Sequence, residues 1–314
     1  SDKTGTLTTN EMSVTAMYLV GDNTEYQVTG TTFAPEGSIM LDGNAMTGLS
    51  RPGNAVQALA ETCAVCNDAT IVVDSNGRHK AIGQATEAAL RVLVEKIGYH
   101  DHVQQAHVSS LQPALRVSAV CDMYAKSLTR LATLDFTRDR KMMSTFVRRS
   151  ANKLRLLVKG APESVLLCST HVYLNENERI PLTDDMRVSL QQKLDAYGND
   201  GLRVLAVAVR DDMSLSSEEE SAAVEMLADP ARAASAPRPG LRIVLGVGVF
   251  RLSGGARRGP FGRAAAFAPA GFPRQLVERK AVFTRRLLDG GHRFLAFAVL
   301  KRADRPIDTG TKSA

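Results

Sequence analysis

Residues Asp2 to Leu7 carry the side-chain types that phosphoryl transfer requires. The carboxylate of Asp2 can attack phosphorus and form an acyl phosphate. Lys3 can neutralise charge on the transferring group, and Thr4 and Gly5 let backbone groups approach a phosphate or Mg2+. The same residue types are common in solvated turns, so a plain turn is the alternative interpretation.

The run DKTGTLT at residues 2–8 is the phosphorylation signature of the P-type ATPases, and the chain resembles this family of ion pumps. The resemblance implies that Asp2 is the phosphorylated nucleophile, that Asp2 and Thr4 ligate Mg2+, and that Lys3 meets transition-state charge. Phosphatases of the related haloacid-dehalogenase-like superfamily usually carry a second Asp two positions after the nucleophile. Because Thr4 stands there, a soluble phosphatase is disfavoured and a longer-lived acyl phosphate is expected.

Four further segments resemble motifs of the same family and follow in its order. In P-type ATPases these motifs build the adenine and ribose-phosphate site. The four segments are Gly83–Glu87, Phe136–Ser144, Lys159–Glu163 and Gly201–Ala206. The first of them has Gln84 where the family has Glu.

The residue types in these segments suit a nucleotide base. Phe136, next to cationic residues, offers a stacking face for adenine. Lys159 supplies positive charge at the floor of the predicted pocket, and Gly160 lets the ring approach the backbone. Glu87 can accept a hydrogen bond from the adenine amino group.

Two arginines complete the predicted site, because Arg138 and Arg203 can hold phosphates in forked geometry. Taken singly, Phe136 also has an ordinary interpretation as a core residue, and Glu87, Lys159 and Arg203 as solvated surface charges. The order of five matching segments favours the nucleotide site.

Residues 2–14, 28–37, 66–68 and 136–144 look most like the sarco/endoplasmic-reticulum calcium pumps. This resemblance implies a calcium-transporting ATPase that uses ATP and Mg2+ on the cytosolic face of the endoplasmic reticulum. The Ca2+-binding membrane helices are not in this sequence, whose apolar runs stay well short of the about 18 residues that span a bilayer. The alternatives are a nucleotide-binding fragment without turnover and a P-type ATPase of another cation specificity.

The expected fold class is an α+β nucleotide-binding domain inserted in a truncated haloacid-dehalogenase-like, Rossmann-like α/β phosphorylation domain. Residues 1–12 are predicted to be the stub with the nucleophile loop, 13–240 the nucleotide-binding domain, and 241–314 a return strand and a basic tail. In a Rossmann-like sheet a strand precedes the nucleophile. No such strand precedes Ser1, so we expect a fragment that binds ATP but does not turn it over.

Periodicity and turn residues predict the elements of the middle domain. Thr183 is a candidate N-cap, and residues 100–125 give no clear pattern. The predicted strands lie within 11–35, 71–73, 80–82, 128–136, 142–148, 154–158, 202–209 and 241–250, and the predicted helices span 53–66, 86–97, 162–167 and 182–197.

Charge divides the chain into two unlike parts. Residues 231–314 hold 17 Lys and Arg against 4 Asp and Glu, whereas residues 1–230 hold 22 basic and 29 acidic residues. The family motifs D-P-P-R, T-G-D and G-D-G-x-N-D are missing after Phe250. We therefore expect a poorly ordered tail, and its Arg, Ala, Gly and Pro bias suggests an out-of-frame reading. A basic tail for RNA or acidic lipid is the rival hypothesis, but no aromatic-plus-basic module supports it, and no nucleic-acid partner is expected.

Four cysteines are present, and Cys63 and Cys66 form one C-x-x-C pair without the second pair or His pair of a zinc site. A redox motif is the alternative to two buried free thiols. The surrounding small apolar residues favour buried thiols, and so few cysteines fit a reducing compartment.

Overall fold

The computed structural model describes residues 12–111, 116–150, 153–213, 243–246 and 299–302, the last two segments as backbone only. Within these ranges the helices are α1 (Ala55–Val65), α2 (Ala85–Ile97), α3 (His102–Ser110), α4 (Ala119–Ser127), α5 (Pro162–Leu167) and α6 (Asp184–Asn199). The strands are β1 (Met12–Val14), β2 (Ala16–Leu19), β3 (Thr24–Val28), β4 (Ile39–Leu41), β5 (Asn44–Met46), β6 (Thr70–Val73), β7 (His79–Ile82), β8 (Thr129–Leu134), β9 (Met142–Ser150), β10 (Lys153–Gly160), β11 (Ser169–Asn175), β12 (Glu178–Pro181), β13 (Arg203–Val204), β14 (Ala206–Met213), β15 (Ile243–Gly246) and β16 (Val299–Arg302).

A seven-stranded sheet forms the framework, in the order β12-β11-β15-β14-β10-β9-β8. Its neighbouring strands are antiparallel except for the parallel pair β11 and β15. The interior strand β10 is apolar and buried along most of its length, as expected for a strand covered on both faces. The fold is therefore α+β with a mixed sheet, in agreement with the α+β part of the expected class.

Helix α1 packs against β10, β14 and the helices α2 and α4. All eleven of its residues are buried, so it is the central helix of the domain. Asn54 caps its N-terminus by accepting a hydrogen bond from the Gln57 backbone N–H at 2.8 Å. Thr183 caps α6 in the same way through the Met186 N–H, which confirms the predicted cap.

Smaller sheets surround this framework. Strands β2, β3, β4 and β5 form an antiparallel sheet, and β6 and β7 form the predicted hairpin. A satellite apolar cluster, which includes Phe33, Ile71 and Val92, packs the hairpin against α2. This arrangement fixes where α2 begins, next to Gly83.

The structure differs from the sequence expectations mainly in added elements. Strands β4, β5, β11 and β12 and helices α3 and α4 had no predicted counterpart. The return strand expected within 241–250 corresponds to β15. In the tail, β16 pairs with β1 and β13, so residues 299–302 are part of a sheet. The rest of 251–314 lies outside the described residues, and its poor order stays a prediction.

Helix α4 is anchored by a half-buried carboxylate rather than by a local cap. Glu95 on α2 accepts hydrogen bonds from the backbone N–H groups of Val120 and Cys121, at 3.1 and 2.9 Å. Ser118, at the N-cap position, makes no side-chain cap bond. A helix N-terminus favours a carboxylate, so this tertiary contact explains why local sequence did not reveal the helix.

Burial raises the pKa of Glu95 from about 4.5 to about 7, against the two backbone hydrogen bonds and the Arg91 charge, which lower it. The folded state therefore holds this proton more tightly than the unfolded chain, and the resulting stabilisation is lost as pH rises from 4.5 through 7. We expect the free energy of unfolding, relative to Glu95→Gln, to fall by about 3 kcal/mol across this window. Urea denaturation of both chains at several pH values measures this. Parallel pH dependence in the two chains would contradict it.

No helix within the described ranges is long and apolar enough to cross a bilayer.

Candidate functional site

The predicted site residues Lys159 and Glu87 meet in space although 72 residues separate them. The Lys159 Nζ lies 2.5 Å from Glu87 Oε1. Their side chains are 7% and 16% exposed, respectively. A buried ammonium is tolerated only with such a partner, so each of the two charges requires the other.

Two elements bring this ion pair together. Lys159 is near the end of β10, where it pairs with Met143 on β9 and Val207 on β14. Glu87 is in the first turn of α2. The pair therefore joins the main sheet to the start of α2.

Phe136 lies at the same edge of the sheet. Strands β8 and β10 both pair antiparallel with β9, so they run in the same direction and end at one edge. Phe136 follows β8 by two residues, and its side chain is 59% exposed. An exposed phenyl ring beside a cationic edge is a suitable stacking surface for a planar base.

The turn after Phe136 has defined geometry. Arg140 donates hydrogen bonds to the Asp135 carbonyl at 3.3 Å and to Ser144 Oγ at 2.9 Å. Lys141 has a left-handed backbone, with φ of 52°. Arg138 is exposed on this turn, where it can reach a ligand stacked on the ring.

Gly160 has a structural reason to lack a side chain. A Cβ there would lie 2.5 Å from the Lys141 carbonyl oxygen and 2.5 Å from Met142 Cβ. The Lys141 oxygen also accepts the hydrogen bond from the Ala161 N–H. Close approach of β9 therefore explains the glycine without any ligand, and approach of an adenine ring to this backbone stays a prediction.

Arg203 lies on a neighbouring groove of about 480 Å³. The groove is lined by Gly83 to Thr86 at the start of α2, and by His79 and Lys80 of β7. Glu87 is the next residue of α2 after Thr86, although neither Glu87 nor Lys159 lines this groove. A cationic groove at a helix N-terminus suits phosphate groups.

The predicted catalytic residues Asp2, Lys3 and Thr4 lie outside the described residues. Their roles stay predictions. In the described ranges, no group of three or more His, Cys, Asp and Glu could hold a metal ion.

The C-x-x-C pair consists of buried free thiols, as expected. Cys63 and Cys66 are fully buried and unpaired by disulfide. Burial raises the pKa of the Cys63 thiol to about 12 and raises that of Cys66 as well. Thiols in this state are poor nucleophiles, which disfavours the redox alternative.

Sequence reasoning missed two neighbouring residues that contact Glu87. Asn67 follows Cys66 and donates a hydrogen bond to the Glu87 backbone carbonyl at 2.9 Å. Asp68, the next residue, donates its backbone N–H to Glu87 Oε2 at 3.4 Å. The Cys66–Asp68 segment was noted only for its resemblance to calcium pumps, because nothing local indicates contact with a residue 20 positions later.

Comparisons with known proteins show which family the chain resembles. A family model described as P-type ATPase, cytoplasmic domain N, matches residues 55–234. The endoplasmic reticulum calcium ATPase srcA of Aspergillus fumigatus is 43% identical over 220 residues, covering 68% of this chain and 23% of that protein. The Arabidopsis thaliana calcium-transporting ATPase 2, endoplasmic reticulum-type, is 36% identical over 242 residues, covering 73% of this chain and 22% of that protein.

The chain therefore spans less than a quarter of the length of either relative. The family match, in contrast, covers more than half of this chain and contains the Lys159–Glu87 pair, Phe136 and Arg203. This chain belongs to the P-type ATPases and contains their cytoplasmic domain N.

Proposed function

We propose that the chain binds ATP between the exposed ring of Phe136 and the Lys159–Glu87 ion pair. The observation that supports this proposal is the buried ion pair of Lys159 and Glu87. It lies at the edge of the sheet where β8 ends and the exposed ring of Phe136 follows. The ring stacks on adenine, and Glu87 accepts a hydrogen bond from the adenine amino group. Gly160 borders the base, while Arg138 and Arg203 hold the phosphates.

In the whole protein, we propose that ATP phosphorylates Asp2. A carboxylate oxygen of Asp2 attacks the γ-phosphorus, the bond from that phosphorus to the β–γ bridging oxygen breaks, and ADP leaves. Lys3 offsets charge on the transferring group. Asp2 and Thr4 would hold Mg2+, which would supply positive charge against the phosphate oxygens. Hydrolysis of the aspartyl phosphate then completes the cycle.

Calcium transport is the proposed role of the whole protein, because both relatives described above are named as calcium ATPases of the endoplasmic reticulum. We place the whole protein in the endoplasmic reticulum membrane, with this domain on the cytosolic face. In the sequence, this domain would be inserted in a haloacid-dehalogenase-like phosphorylation domain. Ca2+ would be bound by membrane segments of the whole protein. For the chain as it stands, we propose nucleotide binding without turnover.

Phe136→Ala tests the nucleotide site, and we expect it to weaken ATP binding about tenfold. Loss of a base–aromatic stack costs about 1–3 kcal/mol, and about 1.4 kcal/mol corresponds to a factor of ten. Because the ring is 59% exposed, the melting temperature should change little. Calorimetric titration with ATP measures the affinity.

The matched control is Val188→Ala, which removes an exposed apolar side chain from α6. It should leave ATP affinity unchanged. Equal affinity in the wild-type chain and Phe136→Ala would mean that the base binds elsewhere. Acid-stable label from γ-labelled ATP that disappears in Asp2→Asn would instead show that the chain turns ATP over.

A further inference from the structure

Asn67 is a buried amide whose two N–H donors and carbonyl oxygen are all hydrogen-bonded. It is 6% exposed and lies just after α1. Its Nδ2 donates to the carbonyl oxygens of Cys63, at 2.8 Å, and Glu87, at 2.9 Å. Its Oδ1 accepts from the Ala69 N–H at 2.9 Å. One side chain therefore joins the end of α1, the following loop and the first turn of α2.

These hydrogen bonds fix the position of Glu87, which carries the carboxylate. Asn67 holds the backbone of Glu87, while the Asp68 N–H and the Lys159 ammonium hold the two carboxylate oxygens. Only an amide offers two donors and an acceptor in one plane. Aspartate at this position would lose both donors, and alanine would lose the whole bridge.

We propose that Asn67 is a positioning residue for base selection, which holds the Glu87 carboxylate where it accepts the exocyclic amino group of adenine. This inference rests on the proposed nucleotide site. Asn67 itself does not touch the nucleotide. Its removal lets the first turn of α2 shift relative to β10, so the carboxylate loses its place beside Lys159.

Nucleotide selectivity separates this role from a purely structural one. ATP presents an amino group to the carboxylate, whereas inosine triphosphate presents a carbonyl oxygen at the same position. A correctly held carboxylate therefore favours ATP, because an acceptor facing an acceptor leaves both groups unpaired. A substitution that merely lowers stability leaves this preference intact in the folded population.

Asn54 provides a matched control at the opposite end of α1. It is 3% exposed and also makes three hydrogen bonds: it accepts from the Arg51 and Gln57 N–H groups and donates to the Leu49 carbonyl. No contact of Asn54 involves Glu87. Asn54→Ala should therefore lower stability without changing selectivity.

The experiment measures dissociation constants of ATP and inosine triphosphate for the wild-type chain, Asn67→Ala, Asn67→Asp, Asn54→Ala and Glu87→Ala, below the melting temperature of each. We expect Asn67→Ala and Asn67→Asp to lower the preference for ATP about tenfold. Glu87→Ala should lower it similarly, and adding Asn67→Ala to Glu87→Ala should have little further effect. Asn54→Ala should keep the wild-type preference.

Several results would overturn the proposal. One is a folded Asn67→Ala chain that prefers ATP over inosine triphosphate as strongly as the wild-type chain does. The nucleotide site itself would stand in that case if Phe136→Ala still weakens ATP binding. If both Asn67 variants fail to fold while Asn54→Ala folds, Asn67 serves stability alone. Absence of ATP binding by the wild-type chain would instead remove the nucleotide site, and this inference with it.

Discussion

Lys159→Glu is expected to destabilise the fold by about 3 kcal/mol and to reduce ATP affinity by at least about tenfold. The substitution places a second carboxylate against Glu87, at a position where the native side chain is 7% exposed. The Glu87 carboxylate loses the ammonium with which it is paired, so like-charge repulsion adds to the cost of desolvation. Urea denaturation measures the first effect and calorimetric titration with ATP the second.

The charge-reversed double variant Lys159→Glu with Glu87→Lys distinguishes the two effects. It restores an ion pair, so a large part of the lost stability should return. ATP affinity should stay low, because the acceptor for the adenine amino group and the cation have exchanged places. Recovery of both stability and affinity would mean that the pair is structural only and does not contact the nucleotide.

Arg155→Met is expected to cost about 3–5 kcal/mol of unfolding free energy. Arg155 is 1% exposed on β10 and donates hydrogen bonds to Glu61 of α1 and Asp211 of β14. Its Nη2 also lies 2.9 Å from Asp211 Oδ2 and 3.5 Å from the Tyr173 hydroxyl. Removing the guanidinium leaves the Glu61 carboxylate, which is 2% exposed, without its main counter-charge.

An exposed ion pair supplies the matched control. Arg130 and Asp68 are 2.9 Å apart with side chains 37% and 53% exposed, so Arg130→Met should cost less than about 1 kcal/mol. The double variant Arg155→Met with Glu61→Leu should be more stable than Arg155→Met alone, since the unpaired carboxylate is gone. A loss of unfolding free energy below about 1 kcal/mol for Arg155→Met would contradict this. It would show that water solvates the Glu61 carboxylate or that Arg149 already neutralises it.

Local patterns were sufficient for the elements that carry strong local signals. The apolar face of α2, the Thr183 cap of α6 and the turn between β6 and β7 each identify their element without tertiary information. Helix α4 could not be found in this way, because Glu95, a residue on another helix, satisfies its N-terminal N–H groups. Short strands such as β4 and β5, of three residues each, are too brief to establish a period of two.

The candidate site was predictable in its members but not in its contacts. Motif resemblance identified Glu87, Phe136 and Lys159 singly, and the structure brings Glu87 and Lys159 together. The pairing depends on how α2 packs against the sheet, which no local spacing encodes. The reason for Gly160 was similarly hidden, since the close approach of β9 is visible only in three dimensions.

Titration of the isotope-labelled chain with ATP, followed by backbone amide NMR shifts, tests the proposed nucleotide site most directly. We predict saturable shifts with a dissociation constant in the high-micromolar to millimolar range, about −4 to −5 kcal/mol. The largest shifts should cluster at Glu87, Phe136 and Gly160, and Phe136→Ala should reduce them at equal ATP concentration. Shifts confined to the separate cavity of about 250 Å³ beside β11 and β12, or no saturable shifts at all, would contradict the proposed site.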